Sequence, residues 1–361
     1  MTPGPTRVPE RVRRAGARPM IHHRDSEFSK LLLNTLEGLR PLFGTSGDVL
    51  PIHATGRGAM EASICNLLSP GNEVIVCANG RFGEMWARIA EAFDLVVHRV
   101  SSEWGRADLT AIEDALEINP KSKALLLVHS ETSTGVLNDM ASLARTARRH
   151  ELLVMVDCVS SLGGVPVCFD EWDIDVAVTA SQKCLMSSPG MSFVALSARA
   201  WKANQFASIR RSYFDFAAIR QALDRPQPET AGTAPVHLLS QVNEALAIIN
   251  EEGLNQVFAR HEQMGRMVRD WANAHGFSVQ HPSAQAFTPT LTALRVPDGL
   301  NAESIREGLK CRGILTARGL GEFAGKCIRI GHMGDIRPQD VQQTLDALSE
   351  VATSVQKNNG G

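Results

Sequence analysis

The sequence predicts an α/β protein with a mostly parallel sheet in a large domain and a smaller C-terminal α+β domain. Apolar runs of strand length alternate with helical patterns between residues 57 and 197, which is typical of successive βα units. Runs such as Ala124–Val128 are apolar throughout, as expected for strands that helices cover on both faces. The chain has 361 residues, and single cores usually stop growing at about 250–300 residues, so we expect two domains.

The predicted elements follow one another in a regular order after an extended, proline-rich arm at residues 1–10. In the large domain, strands are predicted at 73–78, 95–100, 124–129, 152–157, 175–180 and 192–197, and helices at 57–69, 82–93, 108–118 and 139–150. Residues 198–233 are predicted to form an irregular connection, and a long helical pattern spans 235–275. In the small domain, strands are predicted at 289–296, 313–316 and 327–331, and helices at 301–311 and 337–354. These elements suggest an arm at 1–13, a large domain at 14–252 and a small domain at 253–361.

The composition of the chain argues against nucleic-acid-binding, membrane and secreted proteins. Hydrophobic residues make up 43% of the chain and charged residues 21%, and the formal net charge is −2, so neither nucleic acid nor an anionic membrane surface is an expected partner. No apolar run reaches the roughly 18 residues that a membrane span requires, and the N-terminus lacks the layout of a secretory signal. The seven cysteines show no CxxC spacing, which indicates free thiols in a reducing compartment. We expect a cytoplasmic protein without a metal site.

A carboxylate and a lysine follow two neighbouring predicted strands. Asp157 ends the run 152–157, and Lys183 lies in the turn after 175–180. Ligands collect at the carboxyl ends of the strands in open α/β sheets. One interpretation is that Asp157 caps its turn and Lys183 is a surface lysine. The other is a pyridoxal phosphate site, where the lysine forms a Schiff base with the cofactor aldehyde and the carboxylate keeps the pyridinium nitrogen protonated.

Two further segments suggest anion binding. Residues 55–58, Thr-Gly-Arg-Gly, open a predicted helix, so free N–H groups and the helix dipole favour a phosphate there, although a tight turn has the same composition. Arg329 lies inside the apolar strand 327–331, where its charge requires an anionic partner. That partner is either an internal Asp or Glu or the α-carboxylate of a substrate, which suits the guanidinium fork.

Seven motifs decide between these interpretations. They are residues 2–6, 54–61, 79–84, 129–136, 157–164, 181–183 and 329–334. In this order and spacing they resemble the class V group of fold-type I aminotransferases, especially the alanine–glyoxylate and serine–glyoxylate (serine–pyruvate) aminotransferases. The resemblance extends over essentially the whole chain. It implies pyridoxal 5′-phosphate as cofactor, a fold-type I architecture and a homodimer with active sites at the subunit interface.

The resemblance also implies roles for individual residues. Lys183 and Asp157 would be catalytic, and the cofactor would be bound by Thr55, Gly56, Arg57, Phe82, Thr132, Asp157, Val159, Gln182, Lys183 and Thr233. Within this set, Phe82 and Val159 would cover the two ring faces, and Thr233 would reach the phosphate from the partner subunit. Arg329 would bind the substrate carboxylate, which the backbone at Gly4 would cover.

The predicted reaction is transfer of an amino group from alanine or serine to glyoxylate or pyruvate, with Lys183 as general base. Other donors stay open: aspartate, ureidoglycine, 2-aminoethylphosphonate and pyridoxamine. A lyase or desulfurase of the same fold is a further alternative, although a desulfurase needs a nucleophilic cysteine on a mobile loop. Cys158 and Cys184 are expected to face away from the cofactor, because successive strand residues point to opposite faces. A non-catalytic subunit would not need to retain Lys183, Asp157 and Arg329 together.

Overall fold

A computed structural model describes residues 1–102, 105–279 and 287–359. Within these residues, the large sheet has seven strands in the order β1-β9-β8-β7-β4-β2-β3. β9 runs antiparallel to both of its neighbours, and the other neighbouring pairs are parallel. A short antiparallel pair, β5 and β6, follows β4. The bounds are β1 Asp48–Ile52, β2 Glu73–Cys77, β3 Val96–Val100, β4 Ala124–Val128, β5 Ser130–Glu131, β6 Val136–Leu137, β7 Leu153–Asp157, β8 Val176–Ala180 and β9 Ser192–Leu196.

The six strands predicted for this sheet are confirmed, while β1 was not predicted. Helices cover both faces of the sheet because successive strand residues are apolar and point to opposite sides. Leu125 and Leu127 of β4 pack in the core beneath α2 and α9, whereas Leu126 and Val128 pack in the core beneath α3 and α4. The helices are α1 Glu10–Ala15, α2 Ser26–Phe43, α3 Gly56–Leu67, α4 Arg81–Ala92, α5 Leu109–Ile118, α6 Met140–Arg149, α7 Ala198–Asn204, α8 Phe216–Leu223 and α9 Val236–Glu252.

Two predictions for the middle of the chain are wrong. The segment 198–233 is not irregular throughout, because it contains α7 and α8. Both helices begin at side-chain caps: Ser197 accepts from the N–H of Ala200, and Asp215 accepts from the first turn of α8. The single helix predicted over 235–275 is two helices, α9 and α10 Leu254–Ala274. They are separated at Gly253, whose φ of +84° interrupts the helical backbone.

A second, antiparallel sheet lies in the C-terminal part of the chain, with strand order β10-β11-β13-β12. Its bounds are β10 Ser278–Val279, β11 Leu291–Arg295, β12 Ala317–Arg318 and β13 Cys327–Gly331, and it is accompanied by α10, α11 Ala302–Cys311, a 3₁₀ helix Gly321–Phe323 and α12 Pro338–Asn359. The prediction of a strand at 313–316 is wrong, because β12 begins only at Ala317, after the end of that range. Gly313 has φ +77°, and the N–H of Ile314 bonds to the carbonyl of Leu309, so this apolar stretch ends α11 instead.

The arm, residues 1–9, is extended as predicted and crosses from the second sheet to the turn after β8. The N–H of Gly331, at the end of β13, donates to the carbonyl of Met1 at 2.9 Å. The N–H of Thr6 donates to the carbonyl of Gln182 at 3.0 Å. The arm therefore contacts the segments that carry Arg329 and Lys183. In the described part of the chain, no helix combines the length and the hydropathy needed to cross a membrane.

Candidate cofactor and substrate site

A cavity of about 380 Å³ lies where the parallel strands end. β7 ends at Asp157, and the neighbouring β8 ends three residues before Lys183. The cavity is lined by Gly4, Pro5, Thr55, Gly56, Arg57, Met60, Phe82, Met85, Asp157, Val159, Gln182, Lys183 and Pro189. Residues from five separate parts of the sequence meet here, because parallel strands place their carboxyl ends at one edge of the sheet and the arm, with Gly4 and Pro5, lies over that edge.

Lys183 is held in a tightly bonded turn. The hydroxyl of Ser181 donates to the carbonyl of Ser188 at 2.6 Å, and the N–H of Ser181 donates to the carbonyl of Met191. Ser181 therefore stabilises the turn that presents the lysine. The amine of Lys183 donates to the carbonyl of Pro3 in the arm. Burial, together with the nearby positive charge of Arg329, lowers the pKa of Lys183 to about 8.

Asp157 is a buried acid that faces the cavity without a cationic partner. It is 4% exposed, and its Oδ1 accepts from the N–H of Val159 at 2.7 Å. Burial raises the pKa of Asp157 to about 7, and Lys183 partly opposes this shift. No ion pair to Asp157 is formed within the residues that the structure describes. A protonated ring nitrogen in the cavity would supply the missing donor.

The N-terminus of α3 forms an anion cradle on another side of the cavity. The carbonyl of Thr55 accepts from the N–H of Gly58, but the N–H groups of Gly56 and Arg57 bond to no described residue. A side chain at Gly56 would lie 2.6 Å from Cγ2 of Val159, so only glycine fits here. In the part of the chain that the structure describes, the buried Oε1 of Gln182 also has no hydrogen-bond partner, and the amide can turn its N–H groups toward an anion.

Phe82 and Val159 lie on the walls of the cavity, and Glu131 holds the helix that carries Phe82. The carboxylate of Glu131 accepts from the N–H groups of Phe82 and Gly83 at 3.0 and 3.3 Å. It also accepts from the N–H and hydroxyl of Ser133. Burial raises the pKa of Glu131, while these hydrogen bonds oppose the shift. Glu131 was not among the predicted site residues, although it lies in the motif 129–136 directly after a strand.

Thr132 lies behind the cavity and not on its lining. Its hydroxyl is 2.6 Å from that of Ser160, and its carbonyl accepts from Nη1 of Arg329 at 3.1 Å. Nε of Arg329 donates to the carbonyl of Arg318 at 2.9 Å. Arg329 forms no ion pair with any described Asp or Glu, so the internal salt bridge considered from sequence does not occur there. Arg329 is 8% exposed, and burial lowers the pKa of its guanidinium to about 10.

Thr233 does not join this cavity within one chain. It is exposed and lines a second cavity, of about 430 Å³, together with residues that include His53, Tyr213 and Thr230. The predicted contact between Thr233 and the phosphate was assigned to a partner subunit. The position of Thr233 within a single chain does not test that contact, which stays a prediction.

Among the described residues the cysteines form no disulfide with one another, and none of them lines the Lys183 cavity. Cys158 packs in the core on one face of the large sheet, and Cys184 packs against Leu291 and Met333. Burial raises the pKa of Cys184 to about 12, so its thiol stays protonated. No group of three or more potential metal ligands is present among the described His, Cys, Asp and Glu residues.

Comparison with known proteins places this geometry in a family. Residues 10–331 match the family described as Aminotransferase class-V. The chain belongs to this family. It is 38% identical to the soluble hydrogenase, small subunit, of Synechococcus sp. (strain PCC 6716), over 97% of this chain and 92% of the relative. It is 35% identical to the L-aspartate–glyoxylate aminotransferase of Paracoccus denitrificans, over 98% of this chain and 89% of the relative. Ureidoglycine–glyoxylate aminotransferase from Bacillus subtilis superposes with a TM-score of 0.93 at 31% identity, over 98% of this chain and 92% of that chain.

The predicted family, fold class and cofactor are confirmed: this aminotransferase has the fold-type I architecture and depends on pyridoxal 5′-phosphate. The cavity fits that group. Asp157 offers an acceptor for a ring N–H, and the α3 N-terminus with Gln182 offers unpaired groups for a phosphate. Lys183 is the lysine that lines the same cavity.

Proposed function

We propose that this aminotransferase moves the amino group of alanine or serine to glyoxylate or pyruvate. The observation that carries the proposal is the buried guanidinium of Arg329, which lies close enough to Lys183 to lower its pKa and has no carboxylate partner among the described residues. Nη2 of Arg329 makes no hydrogen bond to any described residue, so it can bind an α-carboxylate. Glyoxylate as acceptor is also supported by the names of the Paracoccus and Bacillus relatives.

The remaining arginines favour a substrate with one carboxylate. Arg211 donates to the carbonyls of Cys65, Ala207 and Ile209, and thus its Nη1 is already bonded. Arg57 lines the cavity beside the anion cradle, where the cofactor phosphate would take its charge. Aspartate is the second candidate donor, because it is the donor named for the Paracoccus relative and Arg57 is an exposed cation at the same cavity.

Each residue of the site has a proposed task. The bound cofactor supplies an aldehyde that takes up the amino group and a ring that accepts electrons. Asp157 holds the proton on the ring nitrogen, and Phe82 and Val159 pack on the two ring faces. Lys183 attaches the cofactor and, once free, carries the α-proton of the substrate, for which a pKa of about 8 is suitable. Arg329 binds the substrate carboxylate beneath the backbone of Gly4.

The proposal also assigns residues to the phosphate and to the phenolic oxygen of the cofactor. The phosphate is held by Thr55, Gly56 and Arg57 at the start of α3, with Gln182 beside it. Thr132 would bind the phenolic oxygen with its hydroxyl, which is hydrogen-bonded to the hydroxyl of Ser160 at 2.6 Å.

The proposed assembly is a homodimer in the cytoplasm. Thr233 would reach the phosphate of the partner subunit from the segment 230–233, which lines the second cavity and is exposed at residues 231–233. We also propose the division into an arm at 1–13, a large domain at 14–252 and a small domain at 253–361. The break at Gly253 and the separate apolar core around Met264, Ile328 and Leu345 support it.

A desulfurase is less well supported than an aminotransferase. The exposed cysteine, Cys311, ends α11, and the cavity is lined by none of the seven cysteines. A desulfurase would need a thiol that reaches the substrate above the cofactor ring.

The decisive experiment combines lysine mapping with a donor scan. Borohydride reduction of the loaded protein should fix the cofactor to Lys183, and Lys183→Ala should bind the cofactor without a covalent link and fail to turn over. Lys202→Ala, a change at an exposed lysine, is the matched control. Alanine, serine and aspartate are then tested singly, with the keto acid product identified. An adduct on another lysine, or full turnover in Lys183→Ala, would exclude Lys183 from the reaction.

A further inference from the structure

The arm is fastened to the turn that carries Lys183. Thr6 makes three contacts there: its N–H donates to the carbonyl of Gln182 at 3.0 Å, and its hydroxyl lies 3.0 Å from the carbonyl of Lys183 and 3.4 Å from that of Gln182. Arg7 donates to the carbonyl of Asp335 at 2.8 Å, which ties the next residue to the C-terminal part of the chain. These contacts fix the position of residues 3–5 above the lysine side chain.

The backbone of residues 3 and 4 is fitted to the Lys183 side chain. Gly4 has φ +110°, and a Cβ there would lie 2.4 Å from Cδ and 2.8 Å from Nζ of Lys183. Glycine is therefore required both by its backbone conformation and by the closeness of the lysine. The carbonyl of Pro3 is the hydrogen-bond acceptor of the amine. The same contact shields the stem of Lys183 from water.

We propose that the arm is a positioning segment for the Lys183 amine: the Pro3 carbonyl holds the amine whenever it is not bonded to the cofactor, and Thr6 is the residue that keeps the arm in place. This inference rests on the proposed role of Lys183. It adds a holding site for the freed amine, so that the lysine stays within reach of the substrate and does not swing into solvent.

The charges around Lys183 separate the effect of the arm from that of its other neighbours. Arg329 lowers the pKa of the lysine, while Asp157, Cys184 and Glu131 raise it, and burial has the largest effect. The arm covers Lys183 with neutral backbone, and its nearest charged side chain, Arg7, pairs with acids elsewhere. Release of the arm therefore removes burial and changes the surrounding charges little, so the pKa of the lysine should rise toward its ordinary value of 10.5.

The test measures the chemical reactivity of Lys183 in the full-length protein with the cofactor in its amine form, which leaves the lysine free. Acetic anhydride labelling is followed by peptide mass spectrometry over a range of pH, with the exposed Lys202 as internal reference. In the wild type, the plateau rate of Lys183 at high pH should be lower than the rate of Lys202 at the same pH, and the labelling of Lys183 should be half-maximal near pH 8. Thr6→Val should raise the plateau rate about two- to tenfold, as expected when one hydrogen bond is lost from a local opening equilibrium. It should also move the midpoint upward.

Three further variants make the result decisive. Thr6→Ser keeps the hydroxyl and should behave as the wild type. Thr353→Val removes a hydroxyl that also donates to a backbone carbonyl, but on α12, and should have no effect on Lys183. Gly4→Ala should have the largest effect, since its Cβ cannot share the space with Lys183; if that variant does not fold, Thr6→Val still gives the answer.

Unchanged labelling of Lys183 in Thr6→Val would overturn the inference, as would a wild-type Lys183 that reacts like Lys202 with a midpoint near its ordinary pKa. Failure of the proposed function would look different. In that case the borohydride adduct would map to another lysine, whatever the labelling rates of the Thr6 variants.

Discussion

Arg329→Leu tests the substrate site most directly. The leucine keeps an apolar side chain in β13 but removes the guanidinium. The carbonyls of Thr132 and Arg318 lose their donors, which should lower the free energy of unfolding by about 1–3 kcal/mol for each carbonyl that stays buried. The assay temperature must therefore be far below the unfolding temperature of the variant, so that activity is measured on folded protein.

The expected loss of activity follows from the burial of Arg329. Removing one member of a buried, hydrogen-bonded charge pair costs about 2–5 kcal/mol, which corresponds to a fall of about 30- to 4,000-fold in kcat/KM. Arg329 is 8% exposed, so the upper half of this range is expected for alanine and serine. Cofactor affinity should be nearly unchanged, because Arg329 does not line the cavity that contains the anion cradle.

Pairs of substrates with and without a carboxylate complete the assay. Alanine is compared with ethylamine, and serine with ethanolamine, by following the absorbance of the bound cofactor during a single half-reaction. Arg318→Leu is the matched control, since it removes a neighbouring exposed guanidinium while its backbone carbonyl still accepts from Arg329. Arg318→Leu should leave the preference for the amino acids intact.

The reasoning would be refuted if Arg329→Leu slowed alanine and ethylamine by the same factor. The guanidinium would then stabilise the fold around Thr132 without binding the substrate carboxylate. A loss of cofactor affinity as large as the loss of kcat/KM would also contradict the argument, because it would place Arg329 at the cofactor.

The other predictions concern buried ionisable groups. Asp157→Asn should keep the cofactor bound but lower turnover by orders of magnitude, since an amide cannot hold the pyridinium proton; normal turnover at full cofactor occupancy would exclude the assignment. Glu131→Gln places an N–H group against the donors at the start of α4, and urea unfolding should show a loss of about 1–3 kcal/mol. Burial lowers the pKa of His129, His261 and His332 to about 4, 4 and 3. Below about pH 6.5 these imidazoles therefore take up protons in the unfolded chain but not in the folded protein. The free energy of unfolding should fall toward pH 4 by up to about 1.4 kcal/mol per pH unit for each imidazole. A free energy of unfolding that does not change between about pH 6.5 and pH 4 would contradict this.

The sequence by itself determined the parallel part of the large sheet. Its strands are short runs of mostly apolar residues, and helices lie between β2, β3, β4 and β7, so local pattern and pairing agree. The same order placed Asp157 and Lys183 at one edge of the sheet, because parallel strands bring their carboxyl ends together. The sequence also predicted anion binding at Gly56, since a Thr-Gly-Arg-Gly turn before a helix leaves N–H groups free.

Contacts between distant segments were decided only by the tertiary structure. β1 contains Pro51 and is recognisable as a strand only through its pairing with β9. In β12, two residues become a strand because they pair with the strand that carries Arg329. Glu131 is a charged residue in the two-residue strand β5, and only its four hydrogen bonds show that it fixes the start of α4.

The partners of the catalytic groups were also decided only by the tertiary structure. Sequence alone left Arg329 between an internal salt bridge and a substrate carboxylate. In the described residues its hydrogen bonds go to two backbone carbonyls and not to a carboxylate. No local pattern could show that Pro3, 180 positions away, accepts from Lys183. Such contacts depend on how the arm and the C-terminal sheet close over the strand ends, and that packing is set by burial of the whole chain and not by any single segment.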